Sequence, residues 1–478
     1  MFDVAIIGAG VVGAMMAREL SKYRLKVCVL EKENDVAMGA SRANSGIVHA
    51  GYDCAPGTLK AKLNVEGAAM MEDICKALGV KFKRNGSLVI GFDEDDRKSI
   101  DKLLEKATAN GVQVEFLDQA ALRKLEPNIG KDVAFALYAP TGGIVCPYDL
   151  TIAALGNAMD NGTELKRNFP VSNIEKIPGG YKISSEKDTV EARFVVNCAG
   201  LYSDAIAKMV GDDSITVHPR KGEYMLLDKE CGDLVKNTIF RTPTKMGKGI
   251  LVSPTVDGNL LLGPTSVDKE DKENKDTTAE GFAEIITKAK DYVPAIPFGK
   301  VITSFCGLRA AGNTGDFIIT SPEKGFVNAA GIESPGLSAS PAIAKYIAEM
   351  LKEQGLELTE NPDYIATRVS THHFRDASME EKNAMIKENP AYGRIICRCE
   401  GVTEGEILDA IRRNPGATDL DGVKRRTRAQ MGRCQDGFCM PYITELLARE
   451  QGIAYEEVTK CGGKSVINVG KTKGGAAQ

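Results

Sequence analysis

The first thirty-one residues contain a glycine pattern that constrains the fold more than any other part of the chain. Gly8, Gly10 and Gly13 follow an apolar run and open a segment with helical spacing, and Glu31 ends the next apolar run, 18 residues after Gly13. In a strand-turn-helix-strand unit, such glycines permit a tight turn, approach of a pyrophosphate and close helix packing, while the acidic residue accepts ribose hydroxyls. The pattern therefore predicts a Rossmann-like dinucleotide site at Gly8, Gly10, Gly13 and Glu31.

Length and composition limit the other possibilities. At about 100–200 residues per domain, the 478 residues suffice for two to four domains. The net charge of -4 is spread along the chain and gives no indication of a nucleic-acid surface. No apolar run reaches the roughly 18–20 residues that span a bilayer, so we expect at most peripheral membrane contact. Twelve cysteines without a signal peptide favour free thiols or metal ligands, and predict a cytoplasmic protein.

The pattern of apolar runs predicts an α/β chain with two interleaved domains and a small helical domain at the C-terminal end. Residues 1–354 form the first unit, in which strand- and turn-rich segments alternate with the nucleotide-binding parts. The expected limits are about 1–80, 145–212 and 306–354 for nucleotide binding, 81–144 and 213–305 for a sheet-rich substrate domain, 355–390 for a linker, 391–455 for the cysteine-bearing domain and 456–478 for a tail.

Three further segments carry a resemblance to a known superfamily. They are residues 39–52 (GASRANSGIVHAGY), 196–204 (VNCAGLYSD) and 331–336 (GIESPG). With the glycine pattern, which alone does not separate NAD from FAD, they are similar to the FAD-dependent D-amino-acid-oxidase and glycerol-3-phosphate-dehydrogenase superfamily over most of residues 1–350. The resemblance implies FAD as cofactor. The contacts it implies, beyond the first glycines, are Ser41, Asn44, Ser45, Gly200, Gly331, Gly336 and Leu337.

Four cysteines in the C-terminal segment form two close pairs, Cys397 with Cys399 and Cys434 with Cys439. Four thiolates suit zinc or a [2Fe-2S] cluster, and their spacing alone leaves both open. The intervening KRRTR and MGR sequences make the segment similar to bacterioferritin-associated-ferredoxin-like domains, which also end the large subunit of anaerobic glycerol-3-phosphate dehydrogenase. The resemblance implies a [2Fe-2S] cluster on the four cysteines, with zinc as the alternative.

The basic residues between the two cysteine pairs have two interpretations. Arg425, Arg426 and Arg428 lie within a few residues of Cys434. Cations close to a thiolate-bound cluster would offset its negative charge and raise its reduction potential. Alternatively, the three arginines form a solvated helix face.

His49 is the candidate catalytic base, because it lies in the segment implied to touch the flavin. A histidine can take a hydroxyl proton while the adjacent carbon gives up hydride. The alternatives are a hydrogen bond or a covalent bond to the flavin. The resemblance also implies a catalytic arginine over the flavin at Arg309, whose guanidinium matches a carboxylate or phosphate, unless it forms a structural ion pair. Ser45, Lys248 and Ser338 are further candidates for binding an anionic substrate.

The two implied cofactors favour a dehydrogenase with a protein acceptor. Alcohol oxidation releases two electrons together, whereas an iron-sulfur cluster takes one at a time, so we expect a redox partner subunit or electron carrier. The resemblance implies a small anionic hydroxy substrate: sn-glycerol 3-phosphate, oxidised to dihydroxyacetone phosphate, with L-2-hydroxyglutarate as the close alternative. An amine or amino-acid oxidase with a zinc tail and an electron carrier without a small substrate remain as alternatives from other classes.

Overall fold

The computed structural model describes residues 1–242, 249–370 and 374–470. Within these residues the chain forms two large sheets, two small ones and twelve α-helices. The helices are α1 (Val11–Leu20), α2 (Leu59–Leu78), α3 (Glu94–Ala109), α4 (Gln119–Leu125), α5 (Pro147–Asp160), α6 (Ser203–Lys208), α7 (Ala279–Tyr292), α8 (Gly336–Glu353), α9 (Met379–Glu388), α10 (Glu404–Arg412), α11 (Leu420–Thr427) and α12 (Met440–Gln451). The strands are β1 (Phe2–Ile7), β2 (Val27–Leu30), β3 (Ile47–Val48), β4 (Phe82–Lys83), β5 (Ser87–Gly91), β6 (Glu115–Asp118), β7 (Phe135–Ala139), β8 (Gly143–Val145), β9 (Glu164–Lys166), β10 (Asn173–Ile177), β11 (Gly180–Ser184), β12 (Thr189–Asn197), β13 (Val217–Leu227), β14 (Thr238–Arg241), β15 (Leu251–Pro254), β16 (Leu260–Gly263), β17 (Val267–Asp268), β18 (Val301–Gly312), β19 (Ile318–Glu323), β20 (Phe326–Ala330), β21 (Ile395–Cys397) and β22 (Val402–Thr403).

The first large sheet has the Rossmann-like topology that the glycine pattern predicts. Its strand order is β10-β11-β12-β1-β2-β9, with β20 beside β12 and β19 beside β20 in the described chain. Strand β1 runs parallel to β2 and β12, so that Val4 pairs with Val27 and Phe194. The apolar run of β1 is buried on both faces, since Val4 and Ile6 pack with helices α1, α5 and α8, and Ala5 and Ile7 belong to a second cluster with residues of β11 and α6. The predicted α/β class with a Rossmann-like domain is confirmed.

The second large sheet is mostly antiparallel and lies in the predicted sheet-rich segments. Its order is β17-β13-β16-β15-β14-β5-β7-β6, and β18 pairs with β13 from Gly312 opposite Val217 to Val301 opposite Leu227. The predicted domain limit at residue 306 falls inside β18, because the pairing with β13 continues through Ala310 and Ala311. Arg309 therefore lies on a strand of the second large sheet, opposite Arg220 of β13.

A small sheet holds the loop around His49. Strand β3 pairs with β8, so that Ile47 lies opposite Ile144, and the Val145 amide donates to the carbonyl oxygen of Gly46 at 2.8 Å. Helix α5 begins two residues after β8. The loop and the N-terminus of α5 are consequently fixed to each other.

The cysteine-bearing segment has a separate core, formed by α10, α11, α12 and the β21-β22 pair. The segment predicted as a linker contains α9, which starts at a capping box between Ser378 and Glu381. The core also includes Val458, so packing extends past residue 455. No helix in the described part of the chain is long and apolar enough to cross a membrane.

Candidate functional site

A cavity of about 700 Å³ opens where the two large sheets meet. Turns after β1 and β12, the segment before β3, strands β13 and β18 and the start of α8 contribute to its lining. The volume is typical of a site that encloses a cofactor or small ligand. The predicted site residues that line it are Gly8, Gly10, Glu31, Ser41, Asn44, Ser45, His49, Gly200, Arg309, Gly336 and Leu337.

Two of the three glycines of the turn, Gly8 and Gly13, lie where a Cβ atom would clash with the backbone. Gly8 has a φ of 104°, and a Cβ atom there would come within 2.5 Å of the Cys198 carbonyl oxygen. A Cβ on Gly13 would clash with the Gly8 carbonyl oxygen. Gly10 is the N-cap of α1 and has no side chain to cover the helix N-terminus. The positive end of α1 is therefore open to an anion from the cavity.

Glu31 and Ser41 complete the polar end of the cavity. Glu31 is buried, and its carboxylate accepts hydrogen bonds from the Ala9 amide at 2.7 Å and from the Glu33 amide at 3.0 Å. Burial raises the pKa of this carboxyl above its usual value, although these two hydrogen bonds oppose the shift. Ser41 Oγ accepts from the Val11 amide at 2.9 Å. Ser41 thus covers the first amide of α1, and the rest of this helix N-terminus together with the adjacent carboxyl fits the pyrophosphate and ribose of a dinucleotide.

The other predicted cofactor contacts differ in their distance from the cavity. Asn44 shapes the loop, since its Nδ2 donates to the carbonyl oxygens of Ala40 and Ser41 and its Oδ1 accepts from the Gly46 amide. Gly200, Gly336 and Leu337 line the cavity. Gly331 has a φ of 62° and packs against Gly312 behind the lining. Gly13 and Gly331 therefore do not line the cavity, but their close packing shapes the turns that do.

His49 is held by α8 and by the turn that precedes it. Its amide donates to Ser338 Oγ at 2.8 Å, and its Nε2 lies 3.3 Å from Ser334 Oγ. Its ring is 5.8 Å from that of Phe240. Ser338, predicted as a substrate contact, is fully buried, and its hydroxyl also donates to the Ile47 carbonyl oxygen. Ser338 therefore supports the loop from behind and is not part of the cavity lining.

Arg309 reaches the cavity from β18 and is fixed by main-chain carbonyl groups. Its Nε donates to the Arg220 carbonyl oxygen at 3.3 Å, and its Nη2 to those of Lys221 and Thr265 at 3.4 and 2.8 Å. No carboxylate of the described chain forms an ion pair with Arg309. The alternative role of this residue, a structural ion pair, is therefore not supported. Lys248, the other predicted cation, lies outside the described residues.

Among the lining residues that the sequence did not predict, five bring polar or aromatic side chains to the cavity. Lys60 and Arg220 both contact Glu333, at 2.8 and 3.4 Å. Tyr224 lies 3.3 Å from Ser45 through its hydroxyl, and burial raises the pKa of this tyrosine. Phe240 completes the set. These side chains come from α2, β13, β14 and the turn before α8, and no motif spacing links them.

The four predicted metal ligands form two pairs in the structure. Cys399 and Cys434 have their sulfur atoms 3.6 Å apart. The thiol of Cys439 donates toward Cys397, which lowers the pKa of Cys397 to about 6 even though burial opposes the shift. No three His, Cys, Asp or Glu side chains within residues 1–242, 249–370 and 374–470 are arranged to hold one metal ion. Two close pairs of thiols supply the two ligands that each iron of a [2Fe-2S] cluster needs.

The backbone around these cysteines also fits a cluster with negative charge. The amides of Gln430 and Glu400 donate to the Cys397 sulfur. Gly432 packs so closely on Cys399 that a Cβ atom there would clash. Gln435 and Asp436 have φ of 45° and 86°, which is uncommon outside glycine and marks a backbone fixed by its surroundings. Amide donors aimed at sulfur stabilise thiolates and tune the potential of iron-sulfur clusters.

The three arginines between the cysteine pairs do not form the solvated helix face that was one of the two interpretations. Arg425 and Arg426 are buried and contact Asp35 of the Rossmann-like domain. Arg428 is also buried and contacts Asp257 and Glu400. Their charges therefore form buried ion pairs with the other domains, and this face of the helix is not exposed to solvent.

Comparison with known protein families agrees with both parts of this geometry. Residues 3–350 match the family model described as FAD dependent oxidoreductase. Residues 395–449 match the BFD-like [2Fe-2S] binding domain. A glycerol 3-phosphate dehydrogenase of Caloramator mitchellensis is 49% identical over 476 residues, which cover 99% of each chain.

Two solved structures are similar to the chain. The dithionite-reduced L-alpha-glycerophosphate oxidase from Mycoplasma pneumoniae, with FAD bound, is 31% identical, has a TM-score of 0.73 and covers 77% of this chain and 98% of its own. The glycerol-3-phosphate dehydrogenase from Bacillus halodurans, complexed with FAD, is 19% identical, with a TM-score of 0.71 over 96% of this chain and 92% of its own. The second similarity concerns the fold alone.

Proposed function

The chain belongs to the family of FAD-dependent oxidoreductases, and we propose that it is a dehydrogenase that oxidises sn-glycerol 3-phosphate to dihydroxyacetone phosphate. The observation that carries the proposal is the 49% identity, over 99% of the chain, to a glycerol 3-phosphate dehydrogenase. FAD and a [2Fe-2S] cluster are its cofactors. Residues 1–354 would catalyse the oxidation, and residues 391–455 would carry the cluster.

The oxidation removes a hydride and a proton from the substrate, which together are two electrons and two protons. When bound, FAD accepts the hydride, and the cluster passes electrons on singly. His49 would take the hydroxyl proton at Nε2, where the substrate hydroxyl would replace Ser334 Oγ, 3.3 Å away, as the hydrogen-bond partner. Ser338 would fix the position of His49 through its main-chain amide.

Arg309 is the candidate for binding the substrate phosphate. Its Nη1 has no hydrogen bond to the described chain, whereas its Nε and Nη2 are held by carbonyl oxygens. A guanidinium fixed in this way keeps its charge and orientation for an anion. Lys60 and Arg220 share Glu333, so their positive charge is partly offset. Ser45, with Tyr224, would contact the hydroxyl end of the substrate.

The electron acceptor would be a protein that takes electrons one at a time from the C-terminal domain. Cys399 is exposed, and Phe438, next to Cys439, is 79% exposed. The Mycoplasma oxidase is matched over 98% of its length by 77% of this chain, which leaves the cysteine-bearing domain as an addition. We also propose a cytoplasmic location, which is supported by the lack of a disulfide bond among the cysteines of the described residues.

An assay of products tests this function. Iron-replete, FAD-loaded protein is given glycerol 3-phosphate in air, with and without ferricyanide as a one-electron acceptor. We expect dihydroxyacetone phosphate to form with ferricyanide and little hydrogen peroxide to form without it. Peroxide formed in step with dihydroxyacetone phosphate would identify an oxidase instead, and would contradict the role of the cluster.

A further inference from the structure

Two buried clusters of charged side chains join the cysteine-bearing domain to the rest of the molecule. In the first, Asp35, which is 0% exposed, accepts from Arg425 Nη2 at 2.6 Å and from Arg426 Nη1 and Nη2 at 2.8 and 2.7 Å. Asp35 lies in the loop after β2, and both arginines lie on α11. This contact ties α11 to the Rossmann-like domain.

The second cluster is centred on Arg428, which is 7% exposed. Its Nε donates to Glu400 at 3.1 Å, and its Nη2 donates to Asn259 Oδ1 at 3.1 Å. Its Nη1 donates to Asp257 at 2.8 Å and to the hydroxyl oxygen of Tyr148 at 3.3 Å. One guanidinium therefore contacts the cysteine-bearing domain, the turn between β15 and β16, and the first turn of α5.

The backbone conformation at position 428 favours other residue types, which indicates that arginine occupies this position because of its side-chain contacts. It is the C-cap of α11 with a φ of 66°, a position that glycine or asparagine occupies with less strain. Strained non-glycine residues persist where the surrounding contacts determine them, and they concentrate at functional positions.

The Arg428 contacts lie between the His49 loop and the cysteines. On one side, Tyr148 follows β8, which pairs with the strand that contains Ile47. On the other side, the Tyr148 hydroxyl donates to Met431 Sδ at 3.5 Å, and Gly432, the next residue, packs on Cys399. A continuous series of packed and hydrogen-bonded groups thus connects the two sites.

We propose that Arg428 is a positioning residue that fixes the cysteine-bearing domain for electron transfer from the cavity. Buried ion pairs add little net stability but can specify one arrangement, because a shifted arrangement leaves charges unpaired. Each transfer moves one electron from reduced FAD to the oxidised cluster, two transfers follow each substrate oxidised, and an external one-electron acceptor reoxidises the cluster. The inference rests on the proposed function only for the source of the electrons.

The test separates flavin reduction from cluster reduction in the full-length, FAD-loaded and iron-replete protein. The main variant is Arg428→Gly, which suits the left-handed backbone, and Arg428→Lys keeps the charge without the planar fork. Arg412→Gln is the matched control, since Arg412 lies in the same domain but is exposed and, within the described chain, pairs only with Glu450, a residue of that domain, and Arg412 does not contact the rest of the molecule through this pair. FAD is reduced either by glycerol 3-phosphate or by light with EDTA as electron donor, and cluster absorbance is followed anaerobically.

We expect Arg428→Gly to slow cluster reduction at least about tenfold, because a shifted domain lengthens the distance between flavin and cluster, and rates fall steeply when reacting groups are misplaced. Arg428→Lys should recover part of the rate. In Arg428→Gly and Arg428→Lys, flavin bleaching by substrate should stay within about twofold of the native rate. In Arg412→Gln, both flavin bleaching and cluster reduction should stay within the same limit. Protease cleavage within residues 355–390 should be faster in Arg428→Gly than in the native protein, with or without cofactors.

Cluster reduction at the native rate in Arg428→Gly, with full cluster content, would overturn the inference. Should this variant lose its cluster, Asp257→Asn tests the same contact from outside the cysteine-bearing domain, and an unchanged rate there would also overturn it. If glycerol 3-phosphate fails to bleach the flavin while light-driven reduction still shows the slower transfer, the proposed substrate is wrong and the role of Arg428 stands.

Discussion

His49 owes its position to Ser338 and Ser334, two hydroxyl groups on either side of the start of α8. One holds its main-chain amide and the other lies beside its imidazole ring. Arg309 is fixed in a similar manner by three carbonyl oxygens. The two groups proposed to move a proton and bind an anion are therefore oriented before any ligand arrives, which lowers the cost of reorganisation during the reaction.

Replacing His49 by glutamine should remove the proton acceptor while keeping a side chain of similar size. We expect the rate of flavin bleaching by glycerol 3-phosphate to fall about 10²–10⁴-fold, the usual contribution of a general base. Stopped-flow absorbance measures this rate. FAD content is the control and should remain at the native level, and a native bleaching rate would exclude His49 as the base.

The Arg309→Lys variant should discriminate between charged and neutral substrates. Loss of the guanidinium fork removes one or more charge-assisted hydrogen bonds, so we expect KM for glycerol 3-phosphate to rise about tenfold or more. Activity with glycerol, which has no phosphate, should change little. Steady-state kinetics with both compounds measures the difference, and equal losses for the two would mean that Arg309 does not bind the phosphate.

At the scale of elements, the turn between β1 and α1 shows how local sequence determines a site. A Cβ atom on Gly13 would meet the Gly8 carbonyl oxygen, so helix and strand approach closely only with glycine. This part of the site was predictable because the whole signal lies within one strand-turn-helix unit. Tyr224 and Arg220 were not predictable, since long-range pairing of β13 with β18 brings them to the cavity.

Gly13→Ala should therefore damage the FAD site specifically. We expect a destabilisation of about 1–3 kcal/mol from overpacking, together with loss of bound FAD. Gly299→Ala is the control, because a Cβ atom at Gly299 meets nothing within 4 Å. Flavin absorbance per protein and thermal unfolding measure both effects, and full FAD content in Gly13→Ala would show that the turn tolerates a side chain.

At the scale of the molecule, the sequence predicted the parts better than their arrangement. The Rossmann-like domain, the sheet-rich domain and the cysteine-bearing domain each have a local signal. The contacts between them do not, since Asp35 and Arg426 are 391 positions apart in the chain. The limit predicted at residue 306 lies inside β18, which continues to Gly312 through its pairing with the distant strand β13.

Asp35 should make the contact between the Rossmann-like domain and α11 of the cysteine-bearing domain sensitive to acid. Burial alone would raise the pKa of this carboxyl, but Arg426 and Arg425 hold it well below its usual range. Its stabilising effect is therefore complete above the unfolded-state pKa of about 3.9 and is lost as the pH falls through the lower folded-state pKa.

The variant Asp35→Asn tests this dependence. We expect it to lose about 3–5 kcal/mol at pH 6, because two arginines stay buried without their partner. The difference from the native protein should shrink as the pH falls below about 4. Urea unfolding followed by circular dichroism measures it, since the chain has no tryptophan. A difference independent of pH would mean that the ionised carboxylate is not what stabilises the contact.

The central claim is that glycerol 3-phosphate gives its electrons to FAD and then to the cluster. The most direct measurement is anaerobic absorbance spectroscopy of the iron-replete protein during addition of L-2-hydroxyglutarate and, in a separate sample, glycerol 3-phosphate. The account predicts that only glycerol 3-phosphate bleaches the flavin and that cluster absorbance falls afterwards. Bleaching by L-2-hydroxyglutarate alone, or by neither compound in protein that holds FAD, would contradict it.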